Sequence, residues 1–94
     1  MPRFKELVRI ATLAKHFRDG LVENVEIIDD EGTWSVCVHY NEKGEGPKRR
    51  FLTSQRKPGP KRYASFVTAW KVLTDHGIRK ATIRQRIGRS GDES

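Results

Sequence analysis

The chain has 94 residues, with 19 Lys+Arg against 12 Asp+Glu and a formal net charge of +7. Apolar residues make up 35% of it and charged residues 33%, which suffices for one small core and excludes a multidomain enzyme. The single cysteine, Cys37, excludes a disulfide scaffold. No apolar run approaches the ~20 residues of a membrane span, and the start Met1-Pro2-Arg3-Phe4 carries no secretion signal, so a cytoplasmic protein is expected.

The first element reads as a helix over roughly 3–18. Phe4, Leu7, Val8, Ala11 and Ala14 fall at helical spacing, Ile10, Leu13 and Phe17 widen the apolar face, and Gly20 supplies a stop. A hairpin follows. Val25 and Ile27 alternate with polar residues in a strand over 22–29, and Asp29-Asp30-Glu31-Gly32 supplies turn chemistry. Trp34, Val36, Val38 and Tyr40 then alternate with Ser35, Cys37 and His39 in a strand over 33–40. After the polar loop at 41–47, a third strand is expected at about 48–54.

Pro58-Gly59-Pro60 forms a second break, and Pro60 suits the first position of a second helix. Tyr63, Phe66, Val67, Trp70, Leu73 and Thr74 line one face of that helix. Gly77 ends it, with Ile78 placed for the apolar contact that follows a glycine cap. Over 78–87, Ala81, Ile83 and Ile87 share one parity and Lys80, Thr82, Arg84 and Arg86 the other, which favours a strand; a short helix is the competing reading. The order is α-β-β-β-α-β, a two-layer α+β domain over residues 1–87 with an antiparallel meander, both helices on one face, and a disordered tail at 88–94.

The charge is segregated. Residues 1–20 carry five basic and two acidic side chains, residues 21–46 one and seven, and residues 47–94 thirteen and three. Such a field points to a polyanionic partner for the C-terminal half. Arg49, Arg50, Arg56, Lys57, Lys61 and Arg62 lie within fourteen residues, with Lys61 and Arg62 expected to open the second helix, where backbone N–H groups also face an anion. Lys80, Arg84 and Arg86 extend this set along the last strand. These nine residues are the expected nucleic-acid contacts.

Catalysis and metal binding find little support. His16, His39 and His76 lie on three different elements, and His16 and His76 sit near helix C-termini, where the dipole favours a protonated ring. Cys37 and His39 point to one face of a strand, but no carboxylate stands beside them in sequence. One cysteine and three scattered histidines give no metal-ligand spacing, so neither a metal nor another cofactor is expected. Trp34, Tyr40, Tyr63, Phe66 and Trp70 read as core, although an open sheet face could use Trp34 or Tyr40 for stacking.

Two resemblances bear on function. The stretch Phe51-Leu52-Thr53-Ser54-Gln55-Arg56, then Lys61 to Leu73, then Gly77 to Ile83, is similar to short partition-accessory proteins of plasmids and mobile elements. It spans about a third of the chain and implies a small non-enzymatic partner of DNA-maintenance machinery. The order α-β-β-β-α and Lys61-Arg62-Tyr63-Ala64 with Ala69 and Leu73 resemble the double-stranded-RNA-binding domain, although Thr68 and Val72 stand where that family has alanines. The expectation is a non-enzymatic nucleic-acid-binding protein, DNA favoured over RNA. The alternatives are a double-stranded-RNA-binding module and a protein-interaction adaptor that uses the acidic hairpin and an exposed sheet edge, which also admits a homodimer.

Overall fold

The computed structural model describes residues 7–54 and 59–85. Its elements are β1 (Leu7–Arg9), α1 (Ile10–Arg18), β2 (Val22–Asp30), β3 (Thr33–Tyr40), β4 (Arg49–Thr53), α2 (Phe66–Asp75) and β5 (Thr82–Gln85). The strands form one five-stranded sheet in the order β1-β4-β3-β2-β5. The expected meander is its centre, β2 antiparallel to β3 and β3 antiparallel to β4. The sheet as a whole is mixed, because β1 joins β4 and β5 joins β2 in parallel.

Alternation decides the two faces. Val25 pairs with Val38 and Ile27 with Val36, so these four side chains share a face and are buried. Val8 and Leu52 pair across β1 and β4 and join them. Leu13 from α1 and Ala69 and Leu73 from α2 complete the same core cluster, so both helices cover this one face. The helix α1 packs against β1 and β4, and α2 against β2 and β3. No described element covers the opposite face.

The hairpin turn carries the expected chemistry. Asp30 pairs with Thr33, and Glu31 and Gly32 both take positive φ, 55° and 90°. Two such residues make the turn whose twist matches the flanking strands. Both helices end alike. Gly20 and Gly77 take φ of +80° and +87°. Ile78 N–H donates to Leu73 O at 2.9 Å and Gly77 N–H to Thr74 O at 3.0 Å; Leu21 N–H donates to His16 O and Gly20 N–H to Phe17 O in the same pattern. Ile78 and Leu73 are both fully buried, so the expected apolar contact closes the second cap.

Three expectations are corrected. Residues 7–9 are strand rather than helix, because Leu7-Val8-Arg9 pairs with Phe51-Leu52-Thr53 and buries Val8; Arg9 is still extended (φ −85°, ψ 158°) where α1 begins. The stretch before it, residues 1–6, lies outside the described residues, as do 86–87 and the tail at 88–94. The second helix does not start at Pro60. Thr53 bridges Pro60, Lys61 N–H donates to Leu52 O, and Tyr63 and Trp34 exchange backbone hydrogen bonds of 2.7 and 2.8 Å, which keeps 60–63 paired as an extended segment. The N-cap is Ser65, whose hydroxyl accepts from Thr68 N–H at 3.2 Å. Finally, the last strand begins at Thr82 rather than Ile78, and Ile83 on the helix side is 57% exposed because β5 is the sheet edge.

Gly77→Ala should cost about 1 kcal/mol, since alanine must take the left-handed conformation there. Urea unfolding checks it: a lower midpoint at unchanged slope is expected.

Candidate functional site

Strand register builds the uncovered face. Its rows read across the sheet as Leu7-Phe51-Cys37-Glu26-Thr82 and, one step along, Arg49-His39-Asn24. Arg9, level with Thr53, and Arg84, level with Ile28, also project on this side. Arg9, Arg49 and Arg84 are exposed, and Phe51 is half-buried between the level of Arg49 and that of Arg9. The side chains of Arg9 and Arg49 make no hydrogen bond or ion pair among the described residues. Glu26 is the acid at the centre of the face, and it is balanced: its Oε1 lies 2.8 Å from His39 Nε2 and 3.5 Å from an Arg84 guanidinium nitrogen.

The nine expected cations separate. Arg49 and Arg84 stand on the open face. Arg50 is on the helix side, because it follows Arg49 by one residue and pairs with Val38. Its guanidinium lies 4.4 Å over the Tyr40 ring and donates to the carbonyl oxygens of Pro47 (3.3 Å) and Glu45. Arg50 therefore holds the β3–β4 loop. Gly46 makes room for it, since a Cβ there would meet the guanidinium at 2.8 Å. Lys61 and Arg62 are exposed but precede the helix rather than opening it; Lys61 Nζ lies 5.5 Å over the Tyr63 ring and Arg62 donates to Thr33 Oγ1 at 3.3 Å. Lys80 is exposed ahead of β5. Arg56, Lys57 and Arg86 lie outside the described residues.

The two strand aromatics considered for stacking face the helices. Tyr40 is buried, and Trp34 meets Phe66 edge to face at 5.6 Å. Among the described residues, the aromatic on the open face is Phe51. Its parity with Arg49 was readable in the sequence, but Arg9 was concealed by the helical spacing of its neighbours, since short apolar runs fit both periods.

A carboxylate does stand beside Cys37 and His39, contrary to expectation. Glu26 is the direct cross-strand partner of Cys37 and reaches His39. Cys37 is nonetheless buried; it is small, sits on the central strand and has Glu26 and Phe51 as cross-strand neighbours. Burial pushes its thiol up to about 11, with Arg49 opposing, so it is protonated near neutral pH. Sγ lies 3.8 Å from His39 Nε2, the same ring nitrogen that Glu26 contacts. A nucleophilic unit needs thiol and carboxylate on opposite ring nitrogens, and this arrangement does not provide that relay.

His16 also departs from expectation. Its Nδ1 is 2.9 Å from the Tyr40 hydroxyl, and the rings meet edge to face at 5.4 Å beside a cleft of about 400 Å³. Burial, then the charges of Arg50 and Lys15, hold its pKa below the ordinary 6.5. The protonated ring is disfavoured in spite of the helix end. His76 lies near the end of α2, with Nδ1 2.9 Å from Val72 O.

No helix among the described residues is long and apolar enough to cross a membrane. No protein-family model, curated protein or solved structure matches the chain.

The lowered pKa of His16 has a signed consequence. Below 6.5 the unfolded chain binds its proton more readily than the folded one, so stability is lost as pH falls through 6.5 towards the folded pKa and then levels. Urea unfolding at several pH values between about 7.5 and 5.5 should show a shallower acid loss in His16→Gln than in the parent chain.

Proposed function

We propose that this chain is a small non-enzymatic nucleic-acid-binding protein that meets the phosphate backbone across its open sheet face. Arg9 and Arg49 carry the reading. They stand on the adjacent strands β1 and β4, exposed, with no partner among the described residues and with Phe51 between their levels. Arginines of this kind offer paired donors to phosphate oxygens. Glu26, the acid at the centre of this face, is already paired with His39 and Arg84.

Duplex DNA is the favoured target, on the resemblance to partition-accessory proteins of plasmids and mobile elements. Arg49, Arg84 and Arg9 would supply backbone contacts, with Lys80 as an exposed cation ahead of β5. Contacts to phosphate alone carry little base specificity.

A second reading has one specific observation in its favour. The run α1-β2-β3-β4-α2, with both helices on one face, has the element order of a double-stranded-RNA-binding domain. Against it, Lys61 and Arg62 lie ahead of the N-cap Ser65 rather than in the first turn of α2.

Titration of the full chain with duplex DNA, duplex RNA and single strands at two or more salt concentrations tests both. Affinity for duplex DNA should fall steeply with salt. Arg9→Ala and Arg49→Ala should each weaken binding and lower the salt slope by about one. Arg50→Ala should leave the slope unchanged and lower stability instead, because its guanidinium holds a loop. Salt-independent binding, or a duplex-RNA preference, would contradict the proposal.

A further inference from the structure

We propose that Glu26, Cys37 and His39 form a binding site for one borderline-soft divalent metal ion, zinc by the character of its donors. The three ligand atoms, a carboxylate oxygen, a thiol sulfur and an imidazole nitrogen, all lie within 4.8 Å of one another. Strand pairing puts them there. Glu26 is in direct register with Cys37, and His39 follows Cys37 by two residues on the same face. A rigid ladder of backbone hydrogen bonds therefore holds the site, so little ordering is needed on binding.

The contacts also accommodate a cation in place of the hydrogen-bonded cluster. Cys37 Sγ at 3.8 Å and Glu26 Oε1 at 2.8 Å both converge on His39 Nε2. That nitrogen can either carry a proton and donate it or accept one, never both. When it donates to Glu26, Sγ has no donor from the ring. When it accepts from the thiol, it faces the carboxylate oxygen lone pair to lone pair. A metal at the point of convergence satisfies all three donors together. Tetrahedral zinc at its usual bond lengths would separate these atoms by about 3.3–3.6 Å, within side-chain adjustment of the observed spacing.

The donor set selects the ion. A thiolate disfavours calcium and magnesium, and imidazole with one carboxylate suits zinc and its neighbours. On binding, the thiol proton leaves to solvent and sulfur binds as thiolate. Three protein ligands leave a fourth position for water. Arg84 is the competitor. It already balances Glu26 from 3.5 Å, but its side chain is 58% exposed and free to swing outward. Arg9 and Arg49, which carry the nucleic-acid reading, take no part in this site; Arg84 is the residue the two share.

Cobalt as a spectroscopic probe, with zinc competition, tests the site in the full chain. One cobalt per chain should give a thiolate-to-metal charge-transfer band that one equivalent of zinc abolishes. Cys37→Ser should lose the band. His39→Gln and Glu26→Gln should weaken zinc binding at least by the roughly 10–100-fold that loss of a supporting partner alone costs. Arg84→Gln should tighten it several-fold. His39 is half-buried, so His39→Gln gives the same readout should Cys37→Ser fail to fold. A parent chain with no charge-transfer band, or zinc retained undiminished by the His39→Gln protein, would overturn the proposal.

Discussion

The positive-φ turn at Glu31-Gly32 fixes the register of β2 against β3, and the rest of the molecule follows from that register. With Asp30 opposite Thr33, every second residue of the hairpin is committed to one side of the sheet. Val25, Ile27, Val36 and Val38 go beneath the helices and are almost wholly buried. A slip of one residue would exchange them for Glu26, Cys37 and His39, placing a carboxylate and an imidazole in an apolar core at prohibitive cost. The hairpin thus excludes its own alternative, and β4 and β5 are laid against a template that already has an inside and an outside.

The elements that were legible in the sequence are those whose pattern is locally complete. The hairpin carried its alternation and its turn together, and the second helix carried its periodicity and its Gly77-Ile78 stop. The elements that were not legible depend on distant partners. Leu7-Val8-Arg9 continues the apolar spacing of the helix behind it and becomes a strand only because Phe51-Leu52-Thr53 offers an edge more than forty residues away. Pro60 looks like a helix start, yet it is drawn into pairing with Thr53 while Tyr63 pairs with Trp34. Tertiary pairing overrode propensity at both places.

The same distinction governs the site. Charge by segment identified the C-terminal half as basic, but a count cannot assign sides. Arg49 and Arg50 are adjacent in sequence and end on opposite faces, one open and one holding a loop over Tyr40. Glu26 and Cys37 are eleven residues apart and become direct neighbours. Positive charge on the uncovered face therefore comes from three strands, with Arg9 supplied by the strand that the helical spacing concealed. The face is both the surface proposed for phosphate contact and the surface that holds the Glu26-Cys37-His39 cluster, because it is the one large side of the sheet that the two helices leave bare.

The division of the arginines is the central claim, and their side-chain Nε–H resonances report on it one residue at a time. In a titration of isotopically labelled full chain with a short DNA duplex, the account predicts that the Nε–H signals of Arg9, Arg49 and Arg84 shift or broaden together while that of Arg50 stays in place. Movement of Arg50 with Arg9 and Arg49 unmoved would contradict it.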